Sequence, residues 1–190
     1  MASTAAVICN GPSRKNFDLK VFDNITTFGC NAVYRDYAVN YHVCIDYPVY
    51  EELIQALPSK DHNNIIIAKD EEQFEPANKP GVRAKNNAGV FALDQAVSRG
   101  YNNIIVVGMD CIIAEGDNLG NIYLGSKNFP DKVSFDDQRR RLFYLDWFCQ
   151  QHPNVKFTFS FPDEIKKYNR IEAKNVVGLT FSKLKEKLNA

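Results

Sequence analysis

The chain has 190 residues, 45% hydrophobic and 24% charged, with 23 basic side chains balanced by 23 acidic ones. That length fits one globular domain burying about two-thirds of the surface its unfolded form exposes. Zero formal net charge excludes a molecule-wide field that would draw it to nucleic acid or an anionic membrane, so any contact with DNA, such as a modified base, must be local.

No window reaches the 18 or so apolar residues of a membrane span, and the opening residues do not pair a basic stretch with a long apolar run. The expectation is a cytoplasmic protein without a membrane span. Five cysteines, Cys9, Cys30, Cys44, Cys111 and Cys149, are odd in number and form no CxxC pair, so they read as buried reduced thiols.

In chain order, residues 5–9 form the first apolar run, and it stops at Asn10-Gly11-Pro12-Ser13. Residues 25–30 form a second, ending in Gly29-Cys30-Asn31, and residues 41–45 a third, ending at Asp46-Tyr47-Pro48. A helical pattern over 49–57 follows, then a strand at 64–68 and a long polar stretch, 69–86, with Pro76 and Pro80. Residues 88–99 read as a helix and 103–107 as a strand that runs into Gly108-Met109-Asp110.

A second long stretch, 111–134, carries Gly116, Gly120, Gly125 and Pro130. Connections this long in compact domains are often binding loops, and this one leaves a strand end, so it is predicted to be a lid. Residues 135–151 form the clearest helix: Ser134 with Asp137 resembles a capping box, and Phe135, Leu142, Leu145 and Cys149 recur at helical spacing. Its Arg139-Arg140-Arg141 run reads as a solvated basic turn with no catalytic role. Strands at 156–161 and 175–179 and a helix at 181–188 complete the chain.

Several of these strands are apolar at consecutive positions, as strands covered on both faces are. Alternation with helices then predicts an α/β fold: a Rossmann-like three-layer sandwich with a mostly parallel sheet.

The strand ends carry the chemistry. Glycine permits close backbone approach, proline fixes a turn, and Asn and Ser supply directed hydrogen bonds, a set suited to a phosphate–ribose group. Each turn alone is also an ordinary turn. The Walker and dinucleotide glycine motifs are absent, and His42, His62 and His152 stand apart from any ligand-spaced cysteines, so no resident metal is expected.

"ICNGPSRKNFD" followed by "TFGCNAVYRD" resembles the opening of the glycosyltransferase family 42 sialyltransferases, and "KNNAGVFALDQAVSRGYNNIIVVGMD" continues the likeness collinearly. The resemblance implies a metal-independent nucleotide-sugar transferase with a CMP-sugar donor, and a homo-oligomer. It also implies nucleotide contacts from Asn10, Gly11, Pro12, Ser13, Asn31, Lys85, Asn87, Gly89, Gly108 and Tyr123, with Ala88 beside them. The chain departs from the family where Ile112 replaces a tyrosine and where Gly125 and Ser126 leave no place for the lid histidine.

A second resemblance, through the same turn, is to archaeal-type 6-hydroxymethyl-dihydropterin diphosphokinases, which use ATP and magnesium. There Asp46 and Asp110 would be the carboxylates beside the metal-bound phosphates. The same two, with Asp110 favoured, are the candidate general bases for a small-molecule or sugar acceptor. Three functions therefore stand open: nucleotide-sugar transferase, ATP-dependent diphosphokinase, and a nucleotide-binding module without catalysis.

Overall fold

A computed structural model of the protein describes residues 3–68, 87–115, 119–129 and 132–189. Within them lie seven strands: β1 (Thr4–Ile8), β2 (Thr26–Cys30), β3 (Tyr41–Cys44), β4 (Ile65–Ile67), β5 (Asn103–Val107), β6 (Lys156–Phe161) and β7 (Val176–Thr180). Four α-helices accompany them: α1 (Tyr47–Ala56), α2 (Ala88–Ser98), α3 (Phe135–Gln151) and α4 (Phe181–Leu188). The expected α/β class and all its strands are present, and the sheet is parallel at every pairing.

The order across the sheet is β4-β3-β2-β1-β5-β6-β7, so the chain builds one half outward from β1 and the other outward from β5. Side chains on successive β1 positions go to opposite faces. Ala5, Val7 and Cys9 meet α2 and α3, while Ala6 and Ile8 meet Phe17, Leu19, Phe22 and Leu184 of α4. Helix α1 closes a third apolar cluster over Cys44 through Val49 and Leu53. Burial on both faces accounts for the unbroken apolar runs of β1 and β5, where each fully buried Val or Ile contributes about 1.5–3 kcal/mol.

The helix ends agree with their local chemistry. Ser134 Oγ accepts from the Asp137 amide at 3.1 Å, and Asn87 Oδ1 accepts from the Gly89 amide at 2.9 Å. His152 follows the last turn of α3 and packs on Phe148 at 4.5 Å between ring centroids. Burial lowers its pKa, against a smaller upward pull from Asp94. No helix among the described residues is long and apolar enough to cross a membrane.

Candidate functional site

β1 and β5 are neighbours at the point where strand order reverses, and in open α/β sheets ligands bind beyond the carboxyl ends of the strands at such a point. A cavity of about 460 Å³ lies there. Its walls come from Cys9, Asn10 and Gly11 after β1, Cys30 and Asn31 at the end of β2, Ile45 and Asp46 after β3, and Gly108, Met109, Asp110 and Cys111 after β5. The first turn of α2 (Asn87, Ala88, Gly89), residues 119–121, Asn128 and Phe129, and Gln138 and Arg141 of α3 complete it.

Of the residues expected in the site, Asn10, Gly11, Asn31, Asp46, Asn87, Gly89, Gly108 and Asp110 all line this one cavity. Pro12 and Ser13 instead line a second cavity of about 550 Å³ on the far side of the turn, which shares Asp110 with the first. Tyr123 lies in neither; its hydroxyl donates to Asp36 Oδ2 and accepts from Arg14 at 2.9 Å. Lys85 lies outside the described residues.

The turn after β1 is built by Asp110. Both carboxylate oxygens are taken by Ser13, Oδ2 by its amide at 2.8 Å and Oδ1 by its hydroxyl. A Cβ on Gly11 would overlap that carboxylate, which is why glycine is required there. Gly108 has φ +72°, and a Cβ would stand 2.5 Å from the Cys9 carbonyl, so only glycine lets the β5 end pass beneath the β1 end. The Gly11 amide donates to the Gly108 carbonyl at 2.9 Å and locks the two turns together.

Arg14, almost fully buried, holds this arrangement from behind. Its Nε donates to the Cys9 carbonyl, and its terminal nitrogens pair with Asp36 at 3.2 Å and reach Asn10 Oδ1 at 3.5 Å. Burial pushes the Asp110 pKa up, while the Ser13 hydrogen bonds and Arg14 pull it down. Asp110 is thus an architectural carboxylate.

Asp46 differs. It occupies the N-cap position of α1, yet its side chain makes no capping bond. It is exposed on the cavity wall, where desolvation by the surrounding protein raises its pKa and Arg141 opposes the rise. Asn31 has φ +50°, a left-handed conformation uncommon outside glycine, and its buried Oδ1 has no hydrogen-bond partner among the described residues. Such geometry at a strand end fits a side chain held for a ligand.

Arg141 is the site residue that sequence reasoning missed. Arg139 and Arg140 are exposed, at 73% and 61%, and pair with Asp136 and Asp137 as a solvated turn should. Arg141 is half-buried and lines the cavity, with no hydrogen bond or ion pair among the described residues. The signal was helical phase: Arg141 follows buried Gln138 by three positions and precedes buried Leu145 by four, which sets it on the inward face.

No group of three or more His, Cys, Asp and Glu side chains gathers to hold a metal among the described residues. The cavity presents instead the amino end of α2, whose helix dipole favours an anion. Opposite chemistry is present with it: a guanidinium at Arg141 and a carboxylate at Asp46.

Comparison with known proteins corrects the resemblance to the glycosyltransferase family 42 sialyltransferases. No family model matches the chain, and no curated protein matches it. The glycine- and asparagine-bearing strand ends that carried the likeness are the general equipment of a parallel sheet's switch point, met here by the Gly11–Asp110 and Gly108–Cys9 approaches. A solved structure that does match is a probable thiamine pyrophosphokinase from Staphylococcus saprophyticus subsp. saprophyticus, with a TM-score of 0.39 and 17% identity. The match covers 82% of this chain and 64% of that one, and a likeness so distant assigns no family to this chain.

Proposed function

We propose that the chain is a diphosphokinase-like transferase that takes a magnesium-complexed nucleoside triphosphate, ATP, at the carboxyl ends of β1, β2, β3 and β5. The observation that carries this reading is the cavity's charge pattern. Arg141 and the amino end of α2 favour phosphate, while Asp46 would repel bare phosphate and welcomes the cation that accompanies it. A metal-free nucleotide sugar leaves that carboxylate uncompensated. In this reading Asp46 would hold the magnesium that accompanies the donor's phosphates, since no ready-made cage of carboxylates gathers among the described residues.

Asn10 and Asn31 hold the nucleotide, the Gly11 and Gly108 turns let it approach the backbone, and Arg141 neutralises charge on the transferring group. With both oxygens of Asp110 committed to Ser13, Asp46 is the strand-end carboxylate left to face the metal-bound phosphates.

The test is product analysis with ATP, magnesium and a panel of small primary alcohols. Release of AMP with a diphosphorylated product is expected; ADP would indicate single phosphoryl transfer, and saturable binding without product would indicate a binding module. Asp46→Asn is expected to weaken magnesium-ATP binding and lower turnover roughly ten-fold or more, because the cation loses its charged partner. In the parent, turnover falls once the pH is low enough to protonate Asp46, since only the ionised form holds the cation.

Stability runs the other way. A raised folded-state pKa means that ionising Asp46 opposes folding, a penalty fully present above that pKa and lost as pH falls below the ordinary carboxylate value. Asp46→Asn should therefore melt higher than the parent at pH 7, with the difference shrinking as the solution is acidified.

A further inference from the structure

Two of the thiols that sequence spacing kept apart are brought together by the sheet. The β1–β2 register pairs Ile8 with Gly29, and one step further sets Cys9 opposite Cys30. Neighbouring strands lie about 4.8 Å apart, within the Cα separation a disulfide spans. Both side chains fall on the α2 face of the sheet, and their sulfurs are 3.6 Å apart. Both are free and almost fully buried, and both residues belong to the lining of the candidate nucleotide cavity. By contrast, no such contact joins Cys44, Cys111 or Cys149 to another thiol among the described residues.

We propose that Cys9 and Cys30 form an oxidation site in the floor of this cavity, at which a hydroperoxide such as hydrogen peroxide makes a reversible disulfide that closes the site to nucleotide. In the first step one thiol's sulfur attacks a peroxide oxygen, the O–O bond breaks, and a sulfenic acid and water form. In the second step the neighbouring thiol attacks the sulfenic sulfur, expelling a second water as the S–S bond forms. Each peroxide is reduced by two electrons, and the two thiols are oxidised by the same two.

The consequence for the site follows from what the thiols touch. Each stands directly before a cavity asparagine, Cys9 before Asn10 and Cys30 before Asn31. The Cys30 thiol also donates to the Ala88 carbonyl in the first turn of α2 at 3.5 Å, a bond a disulfide cannot make. Gly89 packs over the pair, where a Cβ would come within 3.0 Å of the Cys9 sulfur. Drawing the sulfurs together thus shifts both asparagines and releases the helix end that faces the phosphate. The Cys9 pKa is raised well above the ordinary thiol value, by its hydrogen bond with Cys30 and then by burial, so the reaction is slow beside that of an activated cysteine.

The loss of nucleotide binding rests on the proposed function; the cross-link does not. The full chain is treated with hydrogen peroxide under native conditions, remaining thiols are alkylated after unfolding, and peptides are mapped by mass spectrometry. A Cys9–Cys30 linked peptide is expected as the dominant cross-link, removed by dithiothreitol, with Cys44, Cys111 and Cys149 alkylated. Magnesium-ATP is expected to slow its formation, and the oxidised protein to bind magnesium-ATP at least ten-fold more weakly until reduced. Alkylation of Cys9 and Cys30 after peroxide, or a dominant cross-link of another pair, overturns the oxidation site. A mapped Cys9–Cys30 link with unchanged nucleotide affinity overturns its control of the cavity. A mapped link in a protein that binds no nucleotide when reduced sustains the oxidation site and rejects the nucleotide reading.

Discussion

Arg141 shows how far one residue's position on a helix decides its part in the molecule. Its two neighbours in the arginine run are in water and matched by acids one turn away, and ion pairs so exposed contribute little. Arg141 alone turns inward to the cavity, beside Gln138. A hydrogen bond to a charged group contributes about 1.5–3 kcal/mol, so Arg141→Ala is expected to weaken magnesium-ATP binding roughly ten-fold or more. Arg140→Ala, on the solvated side, is expected to leave it unchanged. Titration calorimetry on the two variants checks this pair, and equal losses in both would reduce Arg141 to general surface charge. Asp110 and Asp46 make the complementary point. Two carboxylates at strand ends read alike in the sequence, and what separates them is Ser13, which occupies one and leaves the other facing the cavity.

Among the elements, the segment read as a lid is held in its described part by a specific set of contacts. The Ile122 amide donates to the Asn10 carbonyl at 2.9 Å, joining the segment to the turn after β1. Arg35 donates to Ser126 at 2.8 Å, lies over the Tyr123 and Phe129 rings, and pairs with Glu52 of α1. Asn128 reaches the same Glu52 at 2.7 Å. Arg35→Ala is expected to weaken this fastening by about 1 kcal/mol, roughly five-fold in opening. Hydrogen exchange should then quicken for amides in 121–129 while β1 and β5 stay protected; unchanged exchange there would show that Arg35 does not hold the segment.

The elements were legible in the sequence where chemistry is local. Unbroken apolar runs announce strands buried on both faces, and Ser134 announces the start of α3. What escaped were relations between distant positions. The Cys9–Cys30 contact needs the parallel register of β1 and β2, and the Ser13–Asp110 bonds span 97 positions and need β1 beside β5. Tyr123, expected on the nucleotide, is drawn to Asp36 and buried Arg14 by a hydrogen-bonded cluster that no local pattern records.

At the scale of the whole molecule, the sheet order does the positioning. The order of winding reverses between β1 and β5 and opens one crevice, on which six residues expected at four strand ends converge with Asn87 and Gly89 of the first turn of α2. The balanced net charge leaves specificity to that crevice rather than to a long-range field. Its charge pattern, an arginine and a helix amino end against the Asp46 carboxylate, matches a phosphate that brings its own cation. The most direct measurement is titration calorimetry of the reduced full chain with ATP, in magnesium and in excess chelator. Saturable one-to-one binding is expected with magnesium, weakened at least ten-fold by the chelator and by Asn31→Ala. Absence of binding in both conditions, or binding indifferent to magnesium and to Asn31→Ala, would contradict a magnesium–nucleotide site at these strand ends.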